Sequence, residues 1–326
     1  MAVVATSLDR VARKWSRARL VQSDPLRLAA RATDGSLLAP PMTNPVVHQR
    51  SPILTLGRIA YVLAMVGFGT LSLLYVDFIH QLQPIPGWMP GYRLLAVLNG
   101  VGLIAAGTAI ALDWNARMAA QAVAVFFSLW IVLLQIPSAF INPALLRSPW
   151  WIRTFESVAL VGGALALAGL RSGPVRTQWL RAGRIAFGVS LPVFGVLHLI
   201  YPESVAALVP PWYPAPMFWA YFTGFAQVGA GLGIAAGVTP RIAAILAGMM
   251  YGSWALTLHV PRVWCRLNGP CEFLDAPVVG LEGSRGGLTS LFVAFAMCGS
   301  AWIVAGSLAR RADTHEVAPD HSTHTE

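Results

Sequence analysis

Eight apolar segments, each about 20 residues long, recur along this 326-residue chain, and they leave few folds open to it. A helix of about that length crosses a hydrocarbon layer of roughly 30 Å, where only helices and closed barrels satisfy their own backbone hydrogen bonds. Barrel strands would be about half as long and would alternate apolar with polar side chains. These segments, at about 56–79, 92–112, 117–136, 151–170, 182–201, 216–238, 240–260 and 287–308, do neither. Only 11% of the residues are charged, far below the roughly one quarter of soluble domains, and mean hydropathy is +0.61. The expected fold is an all-α polytopic membrane protein with eight transmembrane helices.

The net charge of +9 is carried by 23 basic residues, and their positions give the orientation. Arg10, Arg13, Lys14, Arg17, Arg19, Arg27, Arg31, Arg50 and Arg58 precede or open the first span, and Arg171, Arg176, Arg181 and Arg184 follow the fourth. With Arg117, Arg241, Arg310 and Arg311, 17 of the 23 fall on one side of an eight-span chain. The positive-inside bias places both termini in the cytoplasm, in a bacterial-type inner membrane. No basic module interleaved with aromatics is visible, so nucleic acid is not an expected partner. Residues 1–56 read as a cytoplasmic arm. Leu8, Val11, Ala12 and Trp15 form one apolar stripe amid basic residues, followed by a linker with Pro40, Pro41, Pro45 and Pro52. Such a stripe suits an amphipathic helix on anionic lipid, and a solvated arm is the equal alternative. Residues 173–183 read as a cytoplasmic basic loop and 310–326 as a polar tail, whose histidines His315, His321 and His324 need only solvent.

The chain repeats itself. A shift of 126 carries Arg58, Ile59, Ala60, Gly69, Tyr75 and Asp77 onto Arg184, Ile185, Ala186, Gly195, Tyr201 and Glu203. A shift of 124 carries Pro86, Trp88, Pro90, Gly100, Gly107, Arg117, Trp130 and Pro137 onto Pro210, Trp212, Pro214, Gly224, Gly231, Arg241, Trp254 and Pro261. Each copy holds four spans, an even number, so both copies enter the membrane the same way round. The expectation is two tandem four-helix bundles, a degenerate first repeat at 57–172 and a second at 184–309. Small residues in spans two and six suit close helix approach.

The order Gly195, His198, Pro202, Glu203, then VPPWYPAP from Val209 to Pro216, then Tyr221, Thr223, Gly224, and finally His259 before Pro261 resembles the DoxX-like family of four-helix membrane proteins. The resemblance covers spans five to eight well and spans one to four faintly. It implies a four-helix membrane fold and, by the better-known members, a subunit of quinone-linked redox complexes. Family members commonly carry an acid in the helix corresponding to span six, where this chain has Gln227.

The two copies differ where chemistry is expected. His198, Gln227 and His259 replace Ser72, Leu103 and Gln135 of the first copy. Ionisable groups inside a membrane are costly, so they mark sites. The candidate pocket, at the outer face of the second repeat, comprises His198, Glu203, Trp212, Gln227 and His259. Three readings stay open: a quinone pocket in which imidazoles meet the carbonyl oxygens, b-type haem ligation by His198 and His259, and hydrogen bonding that serves the bundle alone. No residue is assigned a catalytic role and no metal site is expected. Asp77, His80 and Glu156 form a fainter counterpart, which headgroup water suffices to explain. Cys265 and Cys271, in WCRLNGPC, are the candidate disulfide of an outer loop, while Cys298 reads as a small core residue. The functional alternatives are a quinone-binding redox subunit and a non-enzymatic scaffold that binds lipid, a membrane redox complex or a second copy of itself.

Overall fold

The computed structural model describes residues 51–141, 150–170, 175–268 and 283–312, all within a compact unit that spans Arg50–Glu326. The amphipathic arm, the Pro-rich linker, the tail histidines and Cys271 lie outside the described residues. Eight long helices stand at the expected places: α1 Pro52–Tyr75, α2 Tyr92–Ala111, α3 Ala116–Ile141, α4 Trp150–Gly169, α5 Arg176–Ile200, α6 Pro216–Ala236, α7 Pro240–Asn268 and α8 Gly283–Ala312. Seven of them are long and apolar enough to cross a membrane, which fits a multi-pass helical membrane protein. The exception is α6, whose 21 residues include no charge but carry Gln227 and several glycines.

Local sequence sets the helix ends. Pro52, Pro216 and Pro240 open α1, α6 and α7, in the first turn where a missing N–H costs nothing. Gly237 closes α6 in the left-handed conformation at φ 83°, sending its N–H back to the Gly233 carbonyl.

The internal repeat extends to the backbone. Left-handed residues Gly91, Asp113 and Asn115 recur 124 positions later as Ala215, Gly237 and Thr239. A π-helical turn interrupts α3 at Ile131–Gln135 and α7 at Ala255–His259, again 124 apart. Such turns cost helix geometry and often accompany sites. The close crossings recur as well. A Cβ placed on Gly69 would lie 2.6 Å from the Gly100 oxygen, and one placed on Gly195 would lie 2.4 Å from the Gly224 oxygen.

Packing interleaves the copies. α1 lies against α2 and α8, and α5 lies against α6 and α4, so the fourth helix of each copy flanks the first helix of the other. Gly57 in α1 and Gly183 in α5, 126 apart, make both contacts: their Cβ positions fall 2.8 Å from the Ile303 nitrogen in α8 and 2.6 Å from the Gly162 oxygen in α4. α4 and α8 also touch each other and are the most buried long helices, at 67% and 72% of their apolar windows. They form the centre, with α1–α3 and α5–α7 around them. The expected two bundles therefore share their seams.

Candidate functional site

Polar side chains gather at one end of the bundle, where α1, α3, α5 and α7 finish and α2, α4, α6 and α8 begin. In the second copy, Gln227 of α6 has 0% exposure and joins two neighbours. Its Nε2 lies 3.3 Å from His198 Nε2, and its Oε1 accepts the Tyr251 hydroxyl at 3.1 Å. His198 Nδ1 lies 2.8 Å from the Phe194 carbonyl oxygen, which can only accept, so Nδ1 carries the proton of the neutral ring. Nε2 is then the acceptor for the Gln227 amide. The ring stacks on Trp254, with centroids 5.8 Å apart and planes at 9°, and Trp254 meets Tyr251 edge-on at 5.6 Å. Gly224 clears the way, since a Cβ there would come 3.1 Å from that of His198.

Helix phase explains the set. Tyr251 and Trp254 precede the π turn of α7 and share its face toward α5 and α6. His259 ends that turn, with Nδ1 buried and without a hydrogen-bond partner. Glu156, from the first turns of α4, stands within electrostatic reach of Tyr251 and accepts an N–H from Gln81 at 2.9 Å. It is only 9% exposed, so headgroup water does not explain it: the interleaving puts this carboxyl between the copies.

Of the five expected pocket residues, the structure brings His198 and Gln227 into contact. His259 lies on the same helix as Tyr251 and Trp254, with no direct contact to His198 described. Glu203 is exposed on the short helix Pro202–Ala206, and Trp212 is 52% exposed in the following loop. Arg262, one turn beyond His259, is 2% exposed and reaches the Leu208 carbonyl at 3.5 Å, tying that loop down. Cys265 lies in the last turns of α7; its expected partner Cys271 is outside the described residues.

The first copy is not polar-poor. Asn99 donates to Ser72 Oγ at 2.9 Å and accepts from Gln83 at 2.9 Å. Gln135, at the end of the α3 π turn, donates to the Leu82 carbonyl at 2.7 Å and to Ser157 Oγ at 3.1 Å. Beyond α1, Asp77 pairs with Arg285 of α8 at 2.5 Å and with His80 at 3.1 Å, and accepts the Tyr92 hydroxyl. Burial pushes the Asp77 carboxyl up, but the hydrogen bonds from Tyr92 and Arg285 and the charges of His80 and Arg285 outweigh it and hold the group below its ordinary value. Arg285 also lies 5.0 Å from the Tyr75 ring centroid, a cation–π contact. Asp77 is thus engaged by an ion pair that a solvation argument does not anticipate.

Tyr251 and Trp254 are the site neighbours that the sequence reading leaves out of the pocket, and Glu156 is one it leaves to headgroup water. Tyr251 replaces Phe127 of the first copy, a polar-for-apolar exchange of the same kind as Gln227 for Leu103, so the comparison that found one contains the other. Among the described residues, no group of three or more His, Cys, Asp or Glu side chains is placed to hold a metal ion. Comparison with curated proteins and with solved structures finds no match. Residues 187–272, from α5 to just past α7 and so spanning His198, Gln227, Tyr251, Trp254 and His259, match the model of a domain of unknown function, DUF8561.

Proposed function

We propose that this is an eight-span, DoxX-like membrane protein of a bacterial-type inner membrane, with both termini cytoplasmic, whose second copy binds the head group of a lipid-soluble quinone at its outer end. The observation that carries this reading is the fully buried Gln227 linking an imidazole acceptor to a phenol donor beside Trp254. Buried polar networks in lipid are expensive unless satisfied, and this one satisfies itself with the two groups that a quinone needs. By taking the place of an internal bond, a quinone carbonyl accepts from the Tyr251 hydroxyl instead of Gln227 Oε1, or from the Gln227 amide instead of His198 Nε2, and a quinol hydroxyl donates to His198 Nε2 in place of that amide. Trp254 supplies a flat apolar wall. Glu156, held by the Gln81 amide, stands within electrostatic reach of Tyr251 and places one buried carboxyl near the site. As an eighth span, α6 is supported by its 21 uncharged residues and its place between α5 and α7.

The test is quinone retention. Protein purified in mild detergent should hold quinone extractable into organic solvent, and an azidoquinone should photolabel α5 to α7. His198→Ala and Gln227→Leu should lower both signals. Absence of retained quinone together with non-saturable labelling, or labelling indifferent to both substitutions, would remove the proposal.

A further inference from the structure

The first copy holds a cavity for which the second-copy reading has no use. About 400 Å³ lies between α2, α3 and the loop after α1, walled by Phe78, Ile85, Leu98, Leu103, Val123 and Phe126. Leu95 and Leu98 on its rim are 40% and 56% exposed, so it opens to the apolar flank of the bundle between α2 and α3. One polar group there is unsatisfied: Trp130 lines the cavity, and its indole N–H is buried without a partner. A buried donor left unpaired costs about 1–3 kcal/mol, which a carbonyl oxygen on an occupant would recover. Its counterpart in the second copy, Trp254, is instead covered by the His198 ring, stacked at 5.8 Å.

A second, open cavity of about 540 Å³ adjoins it at the polar end, lined by Tyr75, Asp77, His80, Gly87, Tyr92 and Arg93. Phe78, from the wall of the first cavity, packs edge-on against Tyr92, from the wall of the second, at 5.2 Å. The two spaces thus share a partition of two rings. Asp77 is already engaged by Arg285 and His80, whereas Arg93 is exposed and has no ion pair among the described residues. The outer space therefore presents uncompensated positive charge above an apolar slot with one waiting donor.

We infer that the two cavities form one binding site for an anionic phospholipid: acyl chain in the apolar slot, ester carbonyl on the Trp130 N–H, phosphate beside Arg93. An apolar slot alone would take any chain. The basic chamber above it selects an anionic head, and the buried donor selects an ester over a plain hydrocarbon. The second copy carries Trp219, Phe222 and Leu246 at the positions of Leu95, Leu98 and Ala122, so its corresponding seam is bulkier. The copies have divided their labour, and the proposal stands independently of the quinone reading.

Native mass spectrometry of the full-length protein, delipidated in detergent and titrated with phosphatidylglycerol or phosphatidylcholine, tests this. One phosphatidylglycerol should stay bound per chain, in preference to phosphatidylcholine. The double variant L98F/A122L, which installs the second copy's residues, should lose it. Because that variant alters packing, two milder ones accompany it, all with thermal melting as the folding control. R93Q should weaken binding about fivefold, as expected for one basic residue near an anionic head. W130F should weaken it to a similar degree, about fivefold, by removing one hydrogen bond. Equal retention of both lipids, unchanged binding in L98F/A122L, or unchanged binding in both R93Q and W130F would overturn the inference. So would recovery of quinone in place of phospholipid, with loss of that quinone in L98F/A122L.

Discussion

Gly195→Ala adds one methyl group where α5 crosses α6, and the structure allows its cost to be worked out. The new Cβ would sit 2.4 Å from the Gly224 carbonyl oxygen and 2.7 Å from Val228 Cγ2. Ordinary contact begins at 3.4 Å, so the shortfall against the oxygen is 1.0 Å (3.4 minus 2.4). That oxygen belongs to a helix backbone and cannot turn aside alone, so the two helices must part along the crossing. Overpacking of this kind costs about 1–3 kcal/mol, and here the upper half applies because the obstacle is main chain. Alanine returns up to about 1 kcal/mol of helix propensity, leaving a net loss of about 2 kcal/mol. Gly229→Ala in α6 is the internal control: nothing lies within 4 Å of its Cβ position, so only the propensity gain remains. Reversible unfolding in mixed micelles of mild detergent and dodecyl sulfate, followed by circular dichroism, should separate the two variants by about 2–3 kcal/mol. A difference below about 0.5 kcal/mol, within ordinary surface scatter, would show that α5 and α6 slide apart freely and would refute the close crossing.

Three further outcomes follow from the same geometry. Gln227→Leu strands the Tyr251 hydroxyl and leaves His198 Nε2 without its donor, so the same unfolding assay should record a loss of about 1–3 kcal/mol; no loss would mean that the relay is not formed. The Asp77 carboxyl sits below its ordinary value, so its contribution is fully present above the unfolded-state pKa of 3.8 and is lost as pH falls through the lower folded value. Thermal melting between pH 7 and pH 3 should show that acid limb in the native protein and a smaller one in Asp77→Asn. Gly237→Ala should destabilise by about 1 kcal/mol or more, since φ is +83° and the Cβ position lies 2.7 Å from the Arg184 guanidinium; an unchanged melting point would contradict the αL end of α6.

How much of this is legible in the sequence depends on which distances it encodes. The helices are, because a lipid-spanning segment is specified by its own length and apolarity. The repeat is too, since rare residues such as Arg58 and Arg184, or Gly69 and Gly195, keep their spacing. The contact between His198 and Gln227 comes from the difference between copies, and Tyr251 lies within the same comparison. Glu203 and Trp212 are near His198 along the chain, but the short helix and its loop turn them outward. The burial of Glu156 has no local signal, because it depends on α4 being flanked by helices of both copies, its carboxyl lying between Gln81 of the first and Tyr251 of the second. The π turns are equally hidden: Ile131–Gln135 and Ala255–His259 look like any apolar helix.

That exchange of flanking helices also bears on how the protein is made. A chain delivered to the membrane from its amino terminus leaves the groove at Gly57 empty until α8, the last of the described helices, arrives to fill it. The groove at Gly183, by contrast, meets α4 as soon as α5 enters. Among the described helices, assembly therefore closes with the docking of α8 on α1, and until then the face of α1 at Gly57 stays unlatched. Cut between the copies, neither half would contain its own latch, yet each would carry the one the other lacks.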